Sequence, residues 1–246
     1  MDSWRWLTGP GPASIGDREI HIWKISLEPG GDRAEILRRI LSPEEKRRAE
    51  GFFFKKDRDS FCICRGYLRR LIGRYDGEAP EGIRFTAGQY GKPSLDPDPH
   101  GRRMEFNVSH TQGVALIAIA RDRRVGVDVE RIRPVEIDDI SRGFFSPREH
   151  ESILGLPAGM RTAAFYACWT RKEAAIKALG GSIAGLLDKV IVSPDPRSQV
   201  QVIQVPAGQP QTGELHVRDV PVGGGYSAAL CYAGSEAEVF LWQPED

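Results

Sequence analysis

The 246-residue sequence has no excess of either charge: lysine and arginine total 34, and so do aspartate and glutamate. That balance removes the overall electrostatic footprint by which nucleic-acid binders and membrane-surface proteins attract their partners. Long apolar runs are missing too. The longest aliphatic stretch, Val114 to Ala120, is too short to cross a bilayer. The N-terminus, MDSWRWLTGPGPASIGDREI, lacks the basic start and apolar centre of a secretory signal, so a cytoplasmic location is expected. Cysteine is scarce. Cys62, Cys64, Cys168 and Cys231 form no CxxC pair and have no histidine at zinc spacing, so they read as small apolar core residues. There is no GxxxxGK[ST], GxGxxG or GxSxG motif, which argues against a P-loop nucleotidase, a dinucleotide enzyme and a serine-hydrolase elbow.

What is present is an ordinary globular chain that repeats itself. The apolar share of 40% suits a packed core, and the length suits one large domain or two small ones. Ser42-Pro43-x-Glu45 recurs as Ser146-Pro147-x-Glu149, 104 residues later. Phe61 and Cys64 recur as Phe165 and Cys168, and the strand-like EIHIWKI precedes VGVDV at the same interval. Each Ser-Pro-x-Glu block predicts a helix start, with serine as the cap, proline in the first turn and glutamate reaching back. Longer helices are predicted over about 57–75 and 161–179. Strands are predicted near 18–26, 104–109, 113–120, 124–130, 189–193, 199–205, 226–232 and 237–242. Strand, helices, then hairpin-like strands in each half predict an α+β fold of two pseudo-duplicated α/β halves with largely antiparallel sheets. The halves are expected to be residues 1–121 and 122–246.

The charged residues gain meaning only by position. In VGVDVE, side-chain alternation puts Gly126, Asp128 and Glu130 on one side and the valines on the other. Two acids so placed either share one hard cation or form a solvated strand face. On the helix wheel Phe165, Cys168, Ala175, Ile176 and Leu179 make an apolar arc bordered by Glu173 and Lys177. That pair, four residues apart, is a routine salt bridge unless the strand acids meet it. Lys172 falls inside the arc, so it should snorkel out or face a polar cleft. In FNVSHT, adjacent Ser109 and His110 point to opposite sides and make a poor nucleophile and base. His110 is a phosphate donor or a turn cap. Lys92 of YGKP is presented at a loop, held extended by Pro93. From Ser42 to Tyr75, ten basic residues face five acids, which suits an anionic ligand or a solvated helix face.

Taken in order, SPEEKRR, YGKP, FNVSHT, GVDVERIRP, FFSPRE and FYACWTRKEAAIKALG resemble the signature blocks of Sfp-type 4′-phosphopantetheinyl transferases. The helix carries the W/KEA form of the family motif. The resemblance implies the phosphopantetheinyl transferase fold, with Mg²⁺ and the co-substrate coenzyme A in a cleft between the halves. By similarity Asp128, Glu130 and Glu173 match the metal-binding acids and Lys177 the catalytic lysine; Glu173, acting directly or through a metal-bound water, is the expected base for the serine proton. Arg48, Lys92, Ser109 and His110 match coenzyme A contacts. The implied reaction loads a serine of an acyl, peptidyl or aryl carrier protein with phosphopantetheine and releases adenosine 3′,5′-bisphosphate. A monomer that binds neither nucleic acid nor membrane is expected, with the basic stretch from Arg65 to Arg74 helping to dock acidic carriers. A Mg²⁺-dependent phosphodiesterase or nucleotide hydrolase would use the same charged groups. A non-catalytic carrier-binding module would not need the acids.

Overall fold

Period-2 apolar alternation and two helical stretches, bounded by proline and glycine signals, become nineteen elements among the described residues. The computed structural model describes residues 4–28, 30–87, 93–96, 101, 103–197, 202–205 and 214–245. Its first half holds β1 (Trp6–Thr8), β2 (Glu19–Ser26), α1 (Arg33–Arg39), α2 (Pro43–Glu50), α3 (Lys55–Asp76), β3 (Thr86–Ala87), β4 (Pro93–Ser94), β5 (Met104–Thr111) and β6 (Val114–Arg121). Then come β7 (Val125–Arg131), α4 (Ile137–Phe144), α5 (Pro147–Leu154), α6 (Ala158–Leu179), α7 (Ile183–Leu186), β8 (Ile191–Val192), β9 (Val202–Gln204), β10 (Leu215–Asp219), β11 (Tyr226–Ala233) and β12 (Glu238–Gln243). Among the described residues no helix is long and apolar enough to cross a membrane.

The two halves repeat one topology. In the first, β2, β6 and β5 are neighbours in that order; in the second, β7, β11 and β10 are, and every one of these pairings is antiparallel. The first sheet is extended by β12, from the far end of the chain, which runs parallel to β2 and carries β1 on its outer side. Both capping boxes form: Ser42 and Ser146 accept from the backbones of Glu45 and Glu149, whose carboxylates bond back to the serine N–H groups. The long helices are 22 residues each and end on left-handed glycines, Gly77 (φ 73°) and Gly180 (φ 72°). Their ends are 103 residues apart, one fewer than the capping boxes, so the Phe61/Phe165 and Cys64/Cys168 matches are one helical position out of structural register.

Apolar alternation sorts the core into layers. Leu116, Ala118 and Ala120 of β6 join Ile20 and Ile22 in packing against Val125, Val127, Val129 and Leu230 of the second sheet. The opposite face, with Trp23, Ile25, Ala115, Ile117 and Ile119, packs on Ile63, Leu68 and Ile72 of α3. On the far side Ala229, Cys231 and Val217 meet α6. The order is therefore α3, first sheet, second sheet, α6. All four cysteines are free and buried, as their surroundings in the sequence suggested.

Candidate metal centre

Helix α6 reaches β7 because Gly126 has no side chain. A Cβ there would run into the backbone carbonyl of Ala174 and the amide of Ala178. Small Ala174 and Ala178 thus seat the helix on the strand, and Glu173 and Lys177 leave its flank beside Asp128. From the other side β5 grips the open edge of β7 with side chains in place of a backbone ladder. Asn107 Oδ1 accepts from Val127 N–H at 3.0 Å, Ser109 Oγ from Val129 N–H at 3.3 Å and Thr111 Oγ1 from Arg131 N–H at 3.3 Å. Every second residue of NVSHT is polar for this reason: those positions face a strand edge whose N–H groups need acceptors.

These contacts enclose a cluster of three acids and a lysine. One oxygen from each of Asp128, Glu130 and Glu173 lies within 4.8 Å of the others. Lys177 Nζ is 2.6 Å from Asp128 Oδ1 and 3.5 Å from Glu173 Oε2. The Ser109 hydroxyl donates to the same Oδ1 at 2.8 Å, and Lys177 donates to Ser109 Oγ at 3.2 Å and Val127 O at 3.3 Å. Asp128 is 1% exposed, yet its Oδ2 has no hydrogen-bond partner. A buried carboxylate oxygen is costly to leave bare. Burial, followed by the charge of Asp128, pushes Glu173 up to about 7, against the pull of Lys177. Burial and Asp128 raise Glu130 in the same way. An all-oxygen donor set that resists carrying its own charge fits a small hard dication such as Mg²⁺, and the bare Oδ2 is where one more positive partner is wanted.

Two family models match successive stretches of the chain: the 4′-phosphopantetheinyl transferase superfamily over residues 124–231, and a 4′-phosphopantetheinyl transferase N-terminal model over 26–122. The 4′-phosphopantetheinyl transferase HetI of Nostoc sp. is 34% identical over 241 residues, 98% of this chain and 96% of the relative. The chain belongs to the 4′-phosphopantetheinyl transferase superfamily. As a further member, the 4′-phosphopantetheinyl transferase Sfp of Bacillus subtilis is 29% identical over 79% of this chain and 83% of its own. The solved chain titled "Chronobacterium ammoiniagenes apo-ACPS structure" is 25% identical, with a TM-score of 0.34, over 45% of this chain and 94% of that one.

In this superfamily member Asp128, Glu130, Glu173, Lys177 and Ser109 come together. His110 and Arg48 do not touch them. His110 is exposed on the opposite side of β5 from Ser109; partial desolvation and then the positive charges of Lys177 and Arg48 lower its pKa. Arg48 is exposed on α2, 5.3 Å over the Phe61 ring. Lys92 lies outside the described residues. Glu173 and Lys177 do form the i,i+4 pair, but Lys177 is nearer to Asp128.

One expectation is corrected. Lys172 neither snorkels nor faces a cleft: it is 0% exposed, held at 2.6 Å by both Glu149 Oε2 and Val190 O. The Arg65–Arg74 stretch is divided: Arg70 and Arg74 are exposed, whereas Arg65 and Arg69 turn inward. Arg69 is 2% exposed, bound to Glu45 and to the carbonyls of Pro80 and Ile83, and Arg65 pairs with Glu45 as well. In both halves the capping-box glutamate has captured a base from the long helix. The bracing roles of Asn107 and Thr111 escaped the sequence reading, although the polar alternation of NVSHT was their signal.

Proposed function

We propose that this chain transfers the 4′-phosphopantetheine arm of coenzyme A to a serine of an apo carrier protein in the cytoplasm. The observation that carries this reading is the cluster of Asp128, Glu130, Glu173 and Lys177 in a chain matched by its family's models over residues 26–122 and 124–231. Coenzyme A would lie in the cleft between residues 1–121 and 122–246, with the β5–β7 seam as its floor. Arg48 and Lys92 supply positive charge, and His110 a hydrogen-bond donor, for its phosphates. Ser109 orients Asp128 beneath them.

Asp128, Glu130 and Glu173 would hold Mg²⁺. Bound there, Mg²⁺ supplies charge neutralisation to the pyrophosphate. The carrier serine Oγ attacks the β-phosphorus, and the bond from that phosphorus to the bridging oxygen breaks. The bridging oxygen leaves with the α-phosphate as adenosine 3′,5′-bisphosphate. Lys177 offsets the charge that develops on that leaving group, where a preplaced ammonium is worth most. Glu173 is the base that takes the serine proton, directly or through a water.

The test is the intact mass of an apo carrier protein incubated with this chain, coenzyme A and Mg²⁺. A gain of one phosphopantetheine group supports the proposal. Cleavage of coenzyme A with the carrier unchanged would identify a hydrolase instead, and no reaction would leave a carrier-binding module.

A further inference from the structure

Helix α6 lies across the second sheet and is gripped on both flanks. The sheet register puts Asp128 of β7, Ala229 of β11 and Asp219 of β10 in one cross-strand row. The two aspartates are two strands apart, about 10 Å. Fully buried Ala229 between them leaves room for the helix. On one flank Glu173 and Lys177 reach Asp128. On the other, fully buried Arg171 reaches Asp219 with two parallel bonds, Nε to Oδ1 at 2.8 Å and Nη2 to Oδ2 at 2.5 Å. Arg171 Nη1 donates to the carbonyls of Ser193 and Asp195 at 2.7 and 3.0 Å. At about 100° per residue, Arg171 and Glu173 leave the helix about 160° apart. Between those directions Thr170 meets Ser227 at 3.2 Å, and on the side away from the sheet Lys172 holds Glu149.

Four consecutive side chains therefore anchor one helical turn in four directions, and the proposed reaction uses only the last of them. Helix rotation is the coordinate they fix. A roll that lengthens the Arg171 fork moves Glu173 and Lys177 relative to Asp128, because all three depend on one rigid rod seated on Gly126. A planar fork resists such a roll better than a single contact does.

We infer that Arg171 is a positioning residue, whose fork on Asp219 sets the rotation of α6 and with it the placement of Glu173 and Lys177 on Asp128. The inference rests on reading Asp128, Glu130 and Glu173 as metal ligands. Asp219→Asn is the gentlest probe, since the Asp219 side chain is 44% exposed and Arg171 keeps both carbonyl acceptors. Arg171→Lys, which keeps the charge and loses the fork, is the second. Each folded variant, verified by circular dichroism, is titrated with Mn²⁺ alone by electron paramagnetic resonance, and its transfer kinetics are measured. The expected result is Mn²⁺ affinity and kcat each lower by about tenfold, the scale seen when the support of a metal ligand is removed, with KM for coenzyme A unchanged. A lower melting temperature with wild-type Mn²⁺ affinity and kcat would make the fork purely stabilising and overturn the inference. Wild-type protein that binds no Mn²⁺ would instead overturn the metal reading itself, and this inference with it. If Arg171→Lys does not fold, Asp219→Asn alone decides.

Discussion

Lys177 stands in two relationships at once: a 2.6 Å ion pair with Asp128 and a helical pair with Glu173 at 3.5 Å. In the proposed reaction its charge is needed most as the phosphorus–oxygen bond breaks. Lys177→Met should therefore lower kcat by about 100-fold or more while KM for coenzyme A changes little. A raised KM at constant kcat would reassign the lysine to substrate binding. Glu173 gives a pH prediction. Its pKa is raised from 4.5 to about 7, chiefly by burial, so the folded chain holds a proton that the unfolded chain releases across that interval. Metal-free protein should thus lose stability as pH rises from about 4.5 to about 7, and Glu173→Gln should flatten that slope. Urea unfolding in the presence of a chelator, repeated across the interval, measures it. Equal slopes for both proteins would contradict the raised pKa.

At the scale of elements, the seat of α6 on β7 decides whether there is a site. Gly126→Ala adds a methyl where the helix backbone already stands, so strand and helix must separate. The expected outcome is a destabilised protein, by about 1–3 kcal/mol, with transfer activity lost even where it remains folded. Full activity would mean that the close approach does not matter. The elements nearest this seat were the most legible in the sequence. The long helices showed in the 3.6-residue recurrence of Phe165, Cys168 and Ile176, and β7 in the alternation of its valines. What stayed hidden had little local signal. β10 buries only Val217, α1 only Leu37, and β1 is three residues long. The acids of the site were legible as residue types at a spacing. Their convergence was implied only by the family resemblance and not by local pattern, because it depends on a glycine and two alanines whose small size becomes informative only once the helix crosses the strand. Lys172 shows the same limit: its position in the apolar arc was readable, but its partner Glu149 was already occupied as a helix cap.

At the scale of the molecule, the chain folds back on itself. β12 lies between β1 and β2 in the first sheet, although it follows the entire second sheet in sequence. Side chains of β2, β6, β7 and β11 share one core between the sheets, and Leu241 of β12 joins it. Removing residues 237–246 should strip the first sheet of two neighbours at once and prevent the whole chain from unfolding as a cooperative unit. Thermal unfolding by circular dichroism checks this, and a truncated chain with an unchanged transition would contradict it. Parallel pairing of β12 with β2 was not readable from local pattern, since a strand's partner is chosen by the core it completes.

The most direct measurement is an anomalous difference map from a crystal grown with Mn²⁺ and coenzyme A. A single strong peak among the carboxylates of Asp128, Glu130 and Glu173, in contact with the bare Oδ2 of Asp128 and the coenzyme's pyrophosphate, is the expected result. A peak elsewhere, or none while coenzyme A is bound, would contradict it.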